Sequence, residues 1–94
     1  MATIYGVGGS IATAQVTVAA TATLIAAARP DRQQITVVNG STVKVYVGGS
    51  AVTTGTGVEL YGAEGASLSL GYTGPIYGIV ATGTEAVSVV EVYG

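Results

Sequence analysis

The stretch that decides the fold is Gln33-Gln34-Ile35-Thr36-Val37-Val38-Asn39-Gly40-Ser41-Thr42-Val43-Lys44-Val45-Tyr46-Val47-Gly48-Gly49. Ile35 and Val37 alternate with Gln34 and Thr36, and Val43, Val45 and Val47 alternate with Thr42, Lys44 and Tyr46. A period of two sends one set of side chains to a core and the other outward, which is the signature of half-buried strands. Val and Thr are β-branched and suit a pleated surface. Asn39-Gly40 suits positive φ and is expected to join Ile35–Val38 to Val43–Val47 as a hairpin.

The same pattern spreads in both directions. Upstream, Arg29-Pro30-Asp31-Arg32 reads as a turn with Pro fixing one φ angle. Before it, Val16 and Val18 alternate with Gln15 and Thr17. Ala19 to Arg29 is rich in helix formers, but Thr21 and Thr23 interrupt it, no cap precedes it and Pro30 follows. Strand is the better reading there. Downstream, Gly48-Gly49-Ser50 opens a longer loop to Gly57, and Leu68 and Leu70 alternate with Ser67 and Ser69. The last run, Ala86 to Tyr93, is apolar on both faces: Val87 and Val89 on one, Val90 and Val92 on the other. Such a strand is normally covered on both sides. Strands are expected near 3–7, 15–20, 22–27, 33–38, 43–48, 57–61, 66–70, 76–81 and 85–93, with those between 15 and 27 open to being one long bent strand. The fold class is all-β, a small antiparallel β-sandwich or jelly-roll-like barrel of about eight short strands. Residues 14–94 form a single β domain. Residues 1–13 are Gly-rich, anchored only by Ile4, Tyr5, Val7 and Ile11, and read as an N-terminal arm or an edge strand.

Composition bounds the chemistry. The chain has 94 residues, 15 Gly, six Tyr, no Cys, no His, no Trp and no Phe. Without Cys or His it has no thiolate or imidazole ligand, no Cys nucleophile and no His base. Three basic residues give no electrostatic footprint for nucleic acid. The N-terminus carries no Lys or Arg before Ser10 and makes a poor signal peptide, and the weakly polar run Val16 to Ala28 is 13 residues and too short to span a bilayer. No cofactor, metal site, nucleic acid or membrane partner is expected.

Individual motifs stay weak. Gly6-Val7-Gly8-Gly9-Ser10 lacks the Lys-Ser/Thr ending and following helix of a phosphate loop. Glu59 and Glu64 flank Gly62 and read as solvated turn residues rather than an acid–base pair, and Asp31, Glu85 and Glu91 are scattered singly. Lys44 reads as an outward strand lysine of the kind that blocks edge pairing. Asn39-Gly40-Ser41 matches a glycosylation acceptor. Tyr46 is expected to face outward, opposite Val45 and Val47, and Tyr61 and Tyr77 read as core or rim aromatics. The stronger signal is bulk: 49% hydrophobic residues and eight charged ones (three basic plus five acidic) leave apolar area outside any core of this size. Exposed apolar surface of that kind marks interfaces.

From Leu24 to Tyr93 the chain resembles small structural proteins of tailed phages. The resemblance rests on Thr23-Leu24-Ile25-Ala26-Ala27-Ala28-Arg29-Pro30, a strand ending at Asn39, Val45-Tyr46-Val47-Gly48-Gly49 and Val52-Thr53-Thr54 followed by Gly57. It continues through Gly65 to Leu70, Ile76-Tyr77-Gly78-Ile79 and Ala81-Thr82-Gly83-Thr84 before a Val-rich strand, about three-quarters of the chain. It implies a non-enzymatic virion component, most similar to a capsid decoration (cement) protein on the outer surface of the head, made in the host cytoplasm. The implied partners are the major capsid protein and the chain itself as a homotrimer. The contact regions expected are Ile4, Tyr5 and Val7 of the arm, and Tyr46 with Ser50, Ala51, Val52, Thr53 and Thr54 of the long loop. The alternative is a tail or fibre module that binds a host-surface glycan, with Tyr61 and Tyr72 as stacking residues.

Overall fold

A computed structural model describes residues 9–62 and 65–94. The described residues form eight strands: β1 (Ser10–Ala19), β2 (Thr23–Ala26), β3 (Arg32–Asn39), β4 (Val45–Gly48), β5 (Val58–Leu60), β6 (Ser67–Leu70), β7 (Ile76–Ile79) and β8 (Thr84–Tyr93). They form two antiparallel four-stranded sheets, ordered β1-β8-β3-β6 and β2-β7-β4-β5. The sheets pack face to face as a β-sandwich, as the alternation predicts. Ile35, Val37, Val18, Val87 and Val89 from the first sheet meet Ile25, Ile76, Val45, Val47, Leu60 and the adjoining Val80 from the second. The expected strand near 3–7 lies outside the described residues. The segment between 15 and 27 is two strands in different sheets, not one bent strand.

β4 and β5 are the one pair of successive strands that lie side by side in a sheet; every other connection between described strands crosses from one sheet to the other. This corrects the expected hairpin at Asn39-Gly40, since β3 and β4 belong to different sheets. The physical reason lies in the Asn39 side chain, which is fully buried. Its Nδ2 donates to the carbonyls of Val43 and Leu60, each at 2.8 Å, and its Oδ1 accepts from the Ser41 N–H and hydroxyl. Asn39 thus holds a sheet-to-sheet corner, and Gly40 does not take the positive φ of a two-residue hairpin turn. The hairpin is made instead by the long loop after Gly48, with Val47 opposite Val58.

Two β-bulges break the period of two. Between Leu24 and Ala26 the register on β7 shifts by one residue, so the consecutive Ile25 and Ala26 are both buried. Gly78 makes room for this: a Cβ there would lie 2.6 Å from the Ile25 Cδ1. Between Arg32 and Gln34 the register on β8 shifts likewise, and Arg32 is buried on the core side although strict alternation from Ile35 sends it outward. The turn before it forms as read: the Arg32 N–H donates to the Arg29 carbonyl at 3.0 Å.

Arg32 closes one end of the sandwich. Its Nε donates to Glu91 Oε1 at 2.7 Å, Nη1 to the carbonyls of Tyr72 and Gly74, and Nη2 to the Ala27 carbonyl at 2.6 Å. One guanidinium therefore ties the β2–β3 connection, the β6–β7 connection and β8 together. Arg29 adds a second cation to Glu91 at 3.4 Å and lies over the Tyr93 ring at 3.9 Å. Asn39 closes the opposite end. Arg32 and Asn39 are the buried polar residues among those described, and each is fully bonded, as a low-dielectric interior requires.

Candidate interaction surface

Because β1, β8, β3 and β6 turn Val18, Val87, Val37 and Leu68 inward, the intervening residues form the outer face of that sheet. Register groups them into rows. Ile11, Val92 and Gln34 form the first; Thr13, Val90, Thr36 and Ser69 the second; Gln15, Ser88, Val38 and Ser67 the third; and Thr17 with Ala86 the last. None of these thirteen side chains is charged. Ile11 is 68% exposed, and an open depression of about 340 Å³ is lined by Thr13, Gln15, Val38, Ser88 and Val90. Thr36 and Ser69 share a hydroxyl–hydroxyl hydrogen bond of 2.8 Å across β3 and β6. A whole sheet face of Val, Thr, Ser, Gln and Ala has little to hold water strongly and no charge to strip on docking.

The opposite face differs. Leu24 and Tyr77 pair across β2 and β7, and Ile79, Tyr46 and Glu59 form the next row. Lys44 lies 3.7 Å from Glu59 and 4.5 Å from the centre of the Tyr61 ring. This face therefore carries a charge pair beside its aromatics. Lys44 precedes β4 rather than lying within it, and Glu59 is exposed. Glu64 lies outside the described residues.

The nominated contact residues separate into three groups. Ile4, Tyr5 and Val7 lie outside the described residues. Tyr46 faces outward and is half-buried, and Ser50, Ala51, Thr53 and Thr54 are exposed on the loop. Val52 is corrected: it is 6% exposed and packs under the loop, its Cγ2 against the backbone of Gly48 and Gly57. A short apolar loop residue between two glycine backbones is an anchor, not a contact. The loop is itself ordered by bonds from the Val52 N–H to the Gly49 carbonyl and from the Thr56 and Gly57 N–H groups to the Thr53 carbonyl. Gly57 is needed because a Cβ there would lie 2.7 Å from the Tyr46 Cβ, so Tyr46 and the loop form one patch.

The other motifs resolve as follows. Ser10 to Thr13 belong to β1, which forms an edge of its sheet; Ser10 thus opens a strand, not the helix a phosphate loop requires. Tyr61 is 58% exposed and Tyr72 51% exposed, so Tyr61 is not a core aromatic. Tyr61 follows the Leu60 carbonyl held by Asn39, while the Tyr72 carbonyl is held by Arg32. The two rings therefore sit at opposite ends of the sandwich and do not make one stacking platform. Asn39 is buried with both amide hydrogens donated, so the acceptor motif is closed to an oligosaccharide in the folded chain. Glu91 is drawn into the Arg29–Arg32 cluster rather than standing alone.

Sequence reasoning marked the outward side of β8 through Val90 and Val92 but missed the full face. The missing signal was the absence of any charged residue from Met1 to Ala28, which includes all of β1. No protein-family model, curated protein or solved structure matches the chain.

Proposed function

We propose that this chain is a non-enzymatic structural protein that decorates the outside of a tailed-phage head, bridging neighbouring major capsid subunits and associating with itself as a trimer. The observation that carries the reading is the uncharged outer face of β1, β8, β3 and β6. Four strands about 4.8 Å apart, with roughly eight residues each at 3.3 Å, give about 500 Å² of face. A standard interface takes roughly 800 Å² from each partner. One copy therefore binds weakly, and a trimer on a repeating lattice multiplies the contact. Affinity for the assembled shell over free subunits then stabilises the shell by linkage.

The test is to purify particles of the source phage on a density gradient and quantify this chain against the major shell protein. A ratio between one and one per few shell subunits is expected. A few copies per particle assigns the chain to the tail or portal vertex instead, and absence from particles overturns the reading.

A further inference from the structure

β1 packs across the sandwich on β2 and β7, whereas on the other side the edge strands β5 and β6 stand apart. Between them runs an apolar cleft of about 270 Å³, lined chiefly by Val58, Leu68, Leu70, Tyr72, Pro75 and Ile76. Val58 is 52% exposed and Tyr72 51%, although Val58 sits opposite the core residue Val47 and turns to the inner side. The sandwich thus leaves part of its interior unfilled on this side. The free edge of β6, Ser67-Leu68-Ser69-Leu70, carries no charge, proline or bulge to prevent another strand from pairing with it.

We infer that the cleft is the seat of the N-terminal arm of a second copy, residues 1–8, added as a strand beside β6 with Tyr5 and Val7 inserted between the sheets. This locates the self-association in the function proposed above but does not depend on the shell. Tyr5 and Val7 are two residues apart, so an extended segment presents both on one side, as Leu68 and Leu70 are presented by β6. The residues that flank Val7, Gly6 and Gly8, add no bulk on the other side of that segment, where Ile4 is the one large side chain.

Reach decides between the chain's own arm and another's. β1 starts at Ser10, on the edge of its sheet farthest from β6, three strand spacings away, or about 14 Å. Val7 is three residues before Ser10 and extends at most about 11 Å from it. A chain's own Val7 falls short of its own cleft. A neighbour's arm has no such tether, and exchange of a terminal segment is a low-cost route to a closed oligomer.

The native chain has no cysteine, so introduced thiols report cleanly. Tyr5→Cys chains and size-tagged Val58→Cys chains are mixed and oxidised, and the double variant is oxidised alone. Expected are a covalent product joining one tagged and one untagged chain, and multimers from the double variant. An internal cross-link in the double variant without multimers assigns the cleft to the chain's own arm and overturns the inference. So does the absence of any cross-link between the mixed chains. Sedimentation supplies the second arm of the test: the full chain is expected to be oligomeric, while the chain lacking residues 1–8 and the full-length Val58→Glu variant sediment as folded monomers. An unchanged oligomeric state in both contradicts the inference, whatever the particle stoichiometry shows.

Discussion

Arg32 and Asn39 are where single side chains hold the molecule together. Removing the Arg32 guanidinium takes the donor from the carbonyls of Ala27, Tyr72 and Gly74 in a buried site and leaves the Glu91 carboxylate with Arg29 alone, at 3.4 Å. Breaking a buried charged pair in this way costs about 3–5 kcal/mol, so Arg32→Ala is expected to lower urea-unfolding stability by that amount. Asn39→Ala takes the side-chain donor from the buried Leu60 carbonyl, while the Val43 carbonyl keeps the Ser41 hydroxyl, and is expected to cost about 1–3 kcal/mol, the range for one unsatisfied buried group. Lys44→Ala removes a partly exposed pair with Glu59 and an exposed contact with the Tyr61 ring and should stay within about 1–2 kcal/mol by the same measurement. Neither of the two large effects was legible beforehand. Period-two alternation sends Arg32 outward, and only the bulge after it turns it in. Asn39-Gly40 has the composition of a hairpin turn, and what overrides that local preference is a pair of carbonyls, one 21 residues away in sequence.

At the scale of elements the alternation was legible and the pairing was not. Val16/Val18, Ile35/Val37, Val45/Val47 and Leu68/Leu70 all turn inward or towards the sandwich interior as their spacing requires. Which strand lies beside which depends on contacts remote in sequence, such as Ser10 opposite Tyr93. The long loop shows the same division. Its extent from Gly48 to Gly57 was readable from glycines, while its internal bonds and the burial of Val52 were not. Gly57→Ala forces a methyl group against Tyr46 and Val52, and overpacking of this kind costs about 1–3 kcal/mol. Thermal unfolding of that variant should show the loss, whereas Gly49→Ala, where a Cβ meets nothing within 4 Å, should leave the midpoint nearly unchanged.

For the whole molecule, the division of labour is by face. One side of the sandwich keeps the Lys44–Glu59 pair with Tyr46 and Tyr77, the two ends are closed by Arg32 and Asn39, and the remaining side is an uncharged sheet. The bulk composition announced that apolar area had to lie outside the core, but only the register shows that one sheet face carries no charge. A lysine placed there tests its role without disturbing the fold: Thr13 is exposed on an edge strand, and an exposed substitution of this type changes stability by within about 0.5 kcal/mol. The most direct measurement is a binding titration of purified wild-type and Thr13→Lys protein onto particles of the source phage freed of this chain. Saturable binding of the wild type, with at least a tenfold loss for the folded variant, is the predicted result. Equal binding by the two, or no binding by the wild type, would contradict the assignment of this face to the shell.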